Sequence, residues 1–234
     1  MAALANPARK IELVRVTESF LEAHGPALEA LAGRGKWPVE VAAPRDLDRM
    51  LGADVVHQGI AVACNPLDMP DVAELRAPDD SAVVMVLDQV NDPRNVGAVI
   101  RAAAAFGALA VVTTERSAPP ESGALAKAAA GALEAIPYIQ ATNLARALAA
   151  LKQNGFWTVG LDGEAETRLA DAPFDRPTAI VMGGEAKGLR RLTAEACDAL
   201  VSIPITPGIE SLNIATAAAI ALYERRRWVG LKTV

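Results

Sequence analysis

The sequence predicts an α/β chain in two parts, a small amino-terminal α/β unit and a larger carboxyl-terminal domain built on a parallel sheet. Three observations lead there. Residues 83–87 form an unbroken apolar run of strand length, the pattern of a parallel strand covered by helices on both faces. From that run to residue 227, strand patterns alternate with helical patterns, as βαβ units require. A stretch rich in proline and charge, 65–71 and then 76–80, separates this alternation from what precedes it.

Taken in order, a strand is expected at 11–16, an apolar-periodic helix near 20–31, a short strand at 39–42 and a closing strand at 59–64. The expected limits are 1–66 for the first unit, 67–82 for a linker and 83–234 for the second domain. Beyond 83–87 come a helix over 95–106, a strand at 109–112, a helix near 121–133, a strand at 138–139 and a helix over 142–153. Strands at 156–161 and 179–182, a short helix, a strand at 200–203 and a final helix over about 211–227 complete the series. A chain of 234 residues is long enough for one small and one medium domain.

Composition narrows the function. With 52% hydrophobic and 22% charged residues, and no apolar stretch of the roughly 18 residues a membrane span needs, a soluble protein is expected. No apolar segment with a small-residue cleavage site follows Met1, so the expected location is cytoplasmic. Cys64 and Cys197 lack the spacing of zinc or redox motifs and read as buried thiols, and no metal site is expected. A net charge of −5 argues against a broadly basic nucleic-acid surface, yet local clusters at Arg190-Arg191, at 225–227 and around Arg94, Arg101 and Lys187 fall in or beside the motifs. Solvated helix ends would account for any one cluster alone.

Three segments carry chemistry, each where a strand runs into a turn, the edge at which open α/β sheets bind ligands. In the first, 88–101, Asn95 can cap a helix, Gly97 permits close approach to its first turn, and Arg101 is the sole charge among alanines. A guanidinium packed there would need a partner or a function; one reaching out to solvent would need neither. In the second, 180–189, Gly183 and Gly184 precede Glu185. The spacing departs from the phosphate-binding P-loop, because Leu189-Arg190 stands where Lys-Ser/Thr must follow, and from GxGxxG, because Glu185 holds the second glycine position. Backbone groups at such a bend can still meet an adenine or ribose, with Glu185 as acceptor; a plain tight turn would look the same. In the third, 203–213, a long Pro/Gly loop from Ile203 leads through Ser211 and Leu212 to Asn213, and Ser211 or Asn213 supplies a helix cap.

In the order NxGxxxR, GGExxG, IPxxxxxxSLN, the segment 83–227 resembles the SpoU/TrmH family of RNA 2′-O-methyltransferases, and shorter matches continue through 127–132, 142–146 and 191–193. The amino-terminal part, through His57-Gln58-Gly59-Ile60, is similar to the L30e-like RNA-binding domain of the family branch that methylates a guanosine of 23S ribosomal RNA. That domain normally has a strand and a Gly-rich helix start ahead of the segment matching 2–7, so a start upstream of Met1 is expected. The resemblance implies a trefoil-knotted methyltransferase domain, a homodimer and S-adenosylmethionine as cofactor. It implies cofactor contacts at Gly183, Gly184, Ile203, Leu212 and Asn213, and catalytic roles for Arg101, Asn95, Glu185, Ser211 and Asn213. A transfer-RNA substrate, or a non-catalytic RNA-binding or ribosome-assembly factor on the same fold, are the competing readings. His57 either contacts RNA or closes the amino-terminal domain.

Overall fold

The computed structural model describes every residue except 53–54, 185–187 and 233–234, and the side chains of 231–232. The chain divides into two compact units, Met1–Asp68 and Met69–Val234.

In the first unit, a short helix α1 (Ala2–Ala5) precedes β1 (Ile11–Val16), α2 (Glu18–Gly35), β2 (Val39–Val41), α3 (Pro44–Leu51) and β3 (Ile60–Cys64). The sheet order is β2-β1-β3, with β2 parallel and β3 antiparallel to β1. Leu4, Val14, Val16, Phe20, Leu28 and Trp37 form its core. Thr17 caps α2 three residues before the first periodic apolar position, accepting a hydrogen bond from the Phe20 amide at 3.2 Å.

His57 closes this unit. Its Nδ1 accepts from the Gly59 amide at 2.9 Å, which leaves Nε2 as the protonated nitrogen facing Asp48 Oδ1 at 3.3 Å. The ring thereby ties α3 to a turn in which Gln58 and Gly59 have φ of 53° and 82°. A side chain at Gly59 would meet Thr17 Oγ1 at 2.6 Å. Replacing His57 by alanine removes both bonds and is expected to cost about 1–2 kcal/mol. Hydrogen exchange should report it as faster exchange at the Gly59 amide and across β3; unchanged protection would show that the turn holds without the ring.

The second unit is a six-stranded parallel sheet, β6-β5-β4-β8-β7-β9. Its elements are β4 (Val83–Asp88), α4 (Pro93–Ala105), β5 (Ala110–Thr114), α5 (Gly123–Ala129), β6 (Tyr138–Ala141), α6 (Leu144–Gln153), β7 (Trp157–Leu161), β8 (Thr178–Gly183), α7 (Arg191–Ala196), β9 (Ala199–Val201) and α8 (Ile214–Lys232). All six residues of β4 are buried, as its apolar run requires of a central strand. Residues of α4, α5 and α8 cover one face of the sheet, while α6 and the segment 72–77 pack on the other.

Four expectations change in detail. Asp92 caps α4, accepting from the Arg94 amide at 2.7 Å with Pro93 in the first turn, so Asn95 lies inside the helix rather than at its cap. The helix expected over 121–133 stops at Ala129, where Ala130 and Gly131 adopt left-handed conformations, and resumes as a 3-10 turn at Ala132–Glu134. From Met69 onward the stretch expected as a linker packs on the second unit: Val72 and Leu75 are buried, and Asn154 Nδ2 donates to the Ala73 and Leu75 carbonyls. Finally, Cys64 and Cys197 are half-buried thiols rather than fully buried ones, and burial pushes the Cys197 thiol up to about 12.

One charged lock holds the β7–β9 edge. Asp198 accepts from the Thr158 amide and hydroxyl, both at 2.8 Å, and from Lys152 Nζ at 2.8 Å. Burial acts to raise its carboxyl, but the bonds from Lys152 and Thr158 outweigh that and hold it below the usual carboxylate range. A depressed folded value stabilises the fold above the ordinary Asp value of about 3.9 and is lost as pH falls through the folded one. Asp198→Asn is therefore expected to cost about 1–2 kcal/mol at neutral pH and to flatten the acid limb of the melting curve; an acid limb of unchanged slope would assign it to other carboxylates.

Candidate active site

The carboxyl ends of β4 and β8 lie side by side, paired up to Asp88 and Gly183, and the helices that follow them cover opposite faces of the sheet. Such a reversal opens a crevice at the strand ends. Asp88 finishes an otherwise apolar strand and is fully buried. A carboxylate in that position needs partners, and Arg190 supplies them: Nε and Nη2 reach Oδ1, each at 2.7 Å, and the Arg190 amide donates to Oδ2 at 3.1 Å. One buried acid thus anchors the far side of the glycine-rich turn.

That turn is packed backbone against backbone. A Cβ on Gly183 would lie 1.9 Å from the Gly188 carbonyl carbon and 2.2 Å from the Leu189 amide nitrogen; one on Gly184 would lie 2.7 Å from the Gln89 carbonyl oxygen. The Gly184 amide donates to the Asp88 carbonyl at 3.0 Å, and the Gly188 amide donates to the Gly184 carbonyl at 2.9 Å. Gly97 does similar work between helices, where a Cβ would meet the Leu125 carbonyl at 2.5 Å.

The third segment closes on the first. Asn213 Oδ1 caps α8, accepting from the Ala215 and Thr216 amides at 2.9 and 3.3 Å. Its Nδ2 donates to Asn95 Oδ1 at 2.9 Å. Both ends of one amide are therefore spent joining the start of α8 to the first turn of α4. Between β9 and this cap, Ile203 and Leu212 are half-buried and Ser211 is exposed, while residues 204–211 run along the surface with Ile209 59% exposed.

The structure thus joins the first segment to the second through Asp88, Gly183, Gly184 and Arg190, and to the third through Asn95 and Asn213. Arg101 is not drawn in. It stands on the exposed face of α4, opposite the buried Val96, Val99, Ile100 and Ala103, and pairs with no other described residue. The alanines around it do not bury it, so burial gives it no need of a partner. Glu185 lies outside the described residues. Asp88 and Arg190 were assigned no role from sequence, although an acid ending an apolar strand and an arginine one residue beyond the glycine turn were both visible. Among the described residues, no group of three or more His, Cys, Asp or Glu side chains gathers as metal ligands would, and no helix is long and apolar enough to cross a membrane.

Comparison with known proteins places this geometry in a family. Residues 1–70 match the model described as RNA 2′-O ribose methyltransferase substrate binding. The chain is 37% identical over 230 residues to a protein of Pseudomonas syringae pv. tomato named 23S rRNA (guanosine-2′-O-)-methyltransferase RlmB, covering 97% of this chain and 91% of that one. It is 42% identical to the protein of the same name from Ralstonia nicotianae, covering 79% and 76%. Its fold superposes on the AdoMet-bound rRNA methyltransferase of Sinorhizobium meliloti with a TM-score of 0.82 at 24% identity, over 97% of this chain and 83% of that one. The model described as SpoU rRNA Methylase family matches residues 82–223, more than half of the 234, and this chain belongs to that family.

Proposed function

We propose that this protein transfers the methyl group of S-adenosylmethionine to the 2′-hydroxyl of a guanosine in 23S ribosomal RNA. The observation that carries the reading is the convergence of three separate segments at one strand-end crevice, joined by Asp88–Arg190 and Asn95–Asn213. Relatives carrying that activity in their name align over almost the whole chain, its amino-terminal unit included. Half-buried Ile203 and Leu212 beside the exposed backbone of 204–211 suit an adenosyl group, which asks for apolar contact on its faces and backbone partners at its edges. When bound, that cofactor supplies an electrophilic methyl.

The residues of the chain have the remaining work. Holding an acceptor hydroxyl in line at near contact supplies much of such a reaction, and Asn95 and Asn213, fixed to each other, with Ser211 beside them, are placed to orient ribose and loop. Arg101 clamps a phosphate of the substrate and eases loss of the hydroxyl proton; a guanidinium is too basic to serve as the proton acceptor near neutral pH. Glu185 orders the glycine turn. Arg101 is exposed on α4 and takes no part in the Asn95–Asn213 bond, so the reading includes a homodimer in which a second copy brings the two together. Exposed Tyr223, edge-on to Phe106, and Ile220 on α8 give that dimer an apolar face. The reading also includes a trefoil knot in the second unit and a cytoplasmic location.

The test is incubation with labelled S-adenosylmethionine and, separately, unmodified 23S ribosomal RNA and total transfer RNA, followed by mapping of 2′-O-methyl groups. A methylated guanosine in the ribosomal RNA alone is the expected result. Transfer onto transfer RNA would overturn the substrate and leave the chemistry; no transfer to either would overturn both.

A further inference from the structure

One residue of the turn into β3 is not explained by the fold. The Ile60 amide donates to the His57 carbonyl at 3.1 Å, and the two residues between them, Gln58 and Gly59, have φ of 53° and 82°. Positive φ at both central positions marks a type I′ turn, for which Asn-Gly is the favoured pair. Gly59 meets that demand, since a Cβ there would stand 2.6 Å from Thr17 Oγ1 and 3.0 Å from the Phe20 Cβ. His57 holds the Gly59 amide and faces Asp48. Gln58 does none of this: its side chain is exposed and bonds to no other described residue.

Left-handed backbone costs any residue with a Cβ, and asparagine offsets the cost with a short polar side chain that bonds locally. Of the four described non-glycine residues with positive φ, Lys36 and Ala130 end helices, where a left-handed residue is a common stop. Gln89 packs its carbonyl against Gly184 at the crevice. Gln58 has no such duty, and glycine or asparagine would make the same turn with less strain. Strain kept for the sake of an exposed, unbonded side chain is offset outside the fold, by what that side chain meets.

Its neighbours indicate the chemistry. Val55 and Val56, which lead into the turn, are 39% and 65% exposed. An amide carries a donor and an acceptor side by side. Set beside apolar surface, it suits an unpaired nucleobase, which lays a face on the valine and presents a Watson–Crick or Hoogsteen edge to the amide. The segment 55–60 holds no lysine or arginine, which favours a base over a phosphate.

We propose that Gln58 reads the edge of an unpaired base in the RNA substrate, with Val56 against its face. The contact rests on the reading that RNA is the substrate, and adds a specificity-determining residue to it.

The test measures binding of the full chain to unmodified 23S ribosomal RNA over a range of salt concentrations, beside melting temperature and turnover. Gln58→Gly relieves the turn and Gln58→Met keeps its length and strain, while both remove the amide. Each is expected to weaken binding about tenfold or more, as loss of a good base contact does. No charge is lost, so the slope of affinity against salt should not change. KM for RNA should rise by the same factor with turnover at saturating RNA unchanged, and Gln58→Gly should melt no lower than the unaltered protein. Val56→Ser, which removes the apolar face, should weaken binding in the same way. Full affinity in Gln58→Met or Val56→Ser, or a Gln58→Gly protein that melts several degrees lower, would overturn the contact and leave the methyl-transfer reading standing. An unaltered protein that binds no RNA would overturn both.

Discussion

Gly183→Ala is expected to leave most of the sheet folded and to weaken S-adenosylmethionine binding about a hundredfold or more, the equivalent of roughly 3 kcal/mol. The reason is steric. The added Cβ would sit 1.9 Å from the Gly188 carbonyl carbon, 2.1 Å from its oxygen and 2.2 Å from the Leu189 nitrogen. All three are backbone atoms, so no side chain can turn aside and the 188–189 segment itself must move. Overpacking of this kind costs about 1–3 kcal/mol, sometimes more, which lowers the melting temperature of a domain this size by several degrees. It also breaks the Gly188 to Gly184 hydrogen bond and drags on Arg190, whose amide and side chain hold Asp88. Calorimetry with the cofactor, beside a far-ultraviolet spectrum to confirm the sheet, separates the two effects. Binding at full strength would mean that the path of 183–189 does not shape the cofactor site.

What could be read from sequence follows the reach of each signal. The apolar run of β4 and the alternation after it carry their own period, and strands and helices appear where those periods place them. Boundaries fared less well where a neighbour decides them. The stop of α5 at Ala130 lies inside a run of alanines, residues that continue a helix by preference; the turn is imposed by how α5 packs on α4 at Gly97. The packing of 69–77 was hidden because its apolar residues, Met69, Val72, Leu75 and Ala77, are scattered among prolines and charges with no period of their own.

The site divides in the same way. Spacing shows that Asn95 and Asn213 belong to motifs, but not that one amide bonds the other across 118 residues of sequence. Asp88 was legible in principle, since a carboxylate at the end of a wholly apolar strand needs a cation, and the choice of Arg190 over Arg94 or Arg101 is a matter of topology. For Arg101 the sequence left two placements open, and the structure takes the solvent-facing one. Alanines can lie on the solvent side of a helix as well as beneath it, and the buried stripe of α4 runs through Val96, Val99, Ile100 and Ala103 instead.

An exposed arginine with no described partner gives the second large effect. Turnover of Arg101→Ala is expected to fall by about 10²–10³, the loss seen when one preorganised donor to a developing charge is removed. Cofactor affinity should stay the same, because none of the crevice bonds involves Arg101. Arg101→Lys should recover little, since an ammonium lacks the planar set of donors that grips a phosphate; nearly full turnover there would remove the clamp from the mechanism. The variant also tests the composite site. If Arg101 serves the partner's crevice, co-expressing Arg101→Ala with Gly183→Ala gives mixed dimers with one complete site each, and about a quarter of normal activity returns from two inactive proteins. If Arg101 serves its own chain, no combination contains a complete site and nothing returns. The exposure of Arg101 on α4 favours the first result, because it leaves the guanidinium open to a second copy.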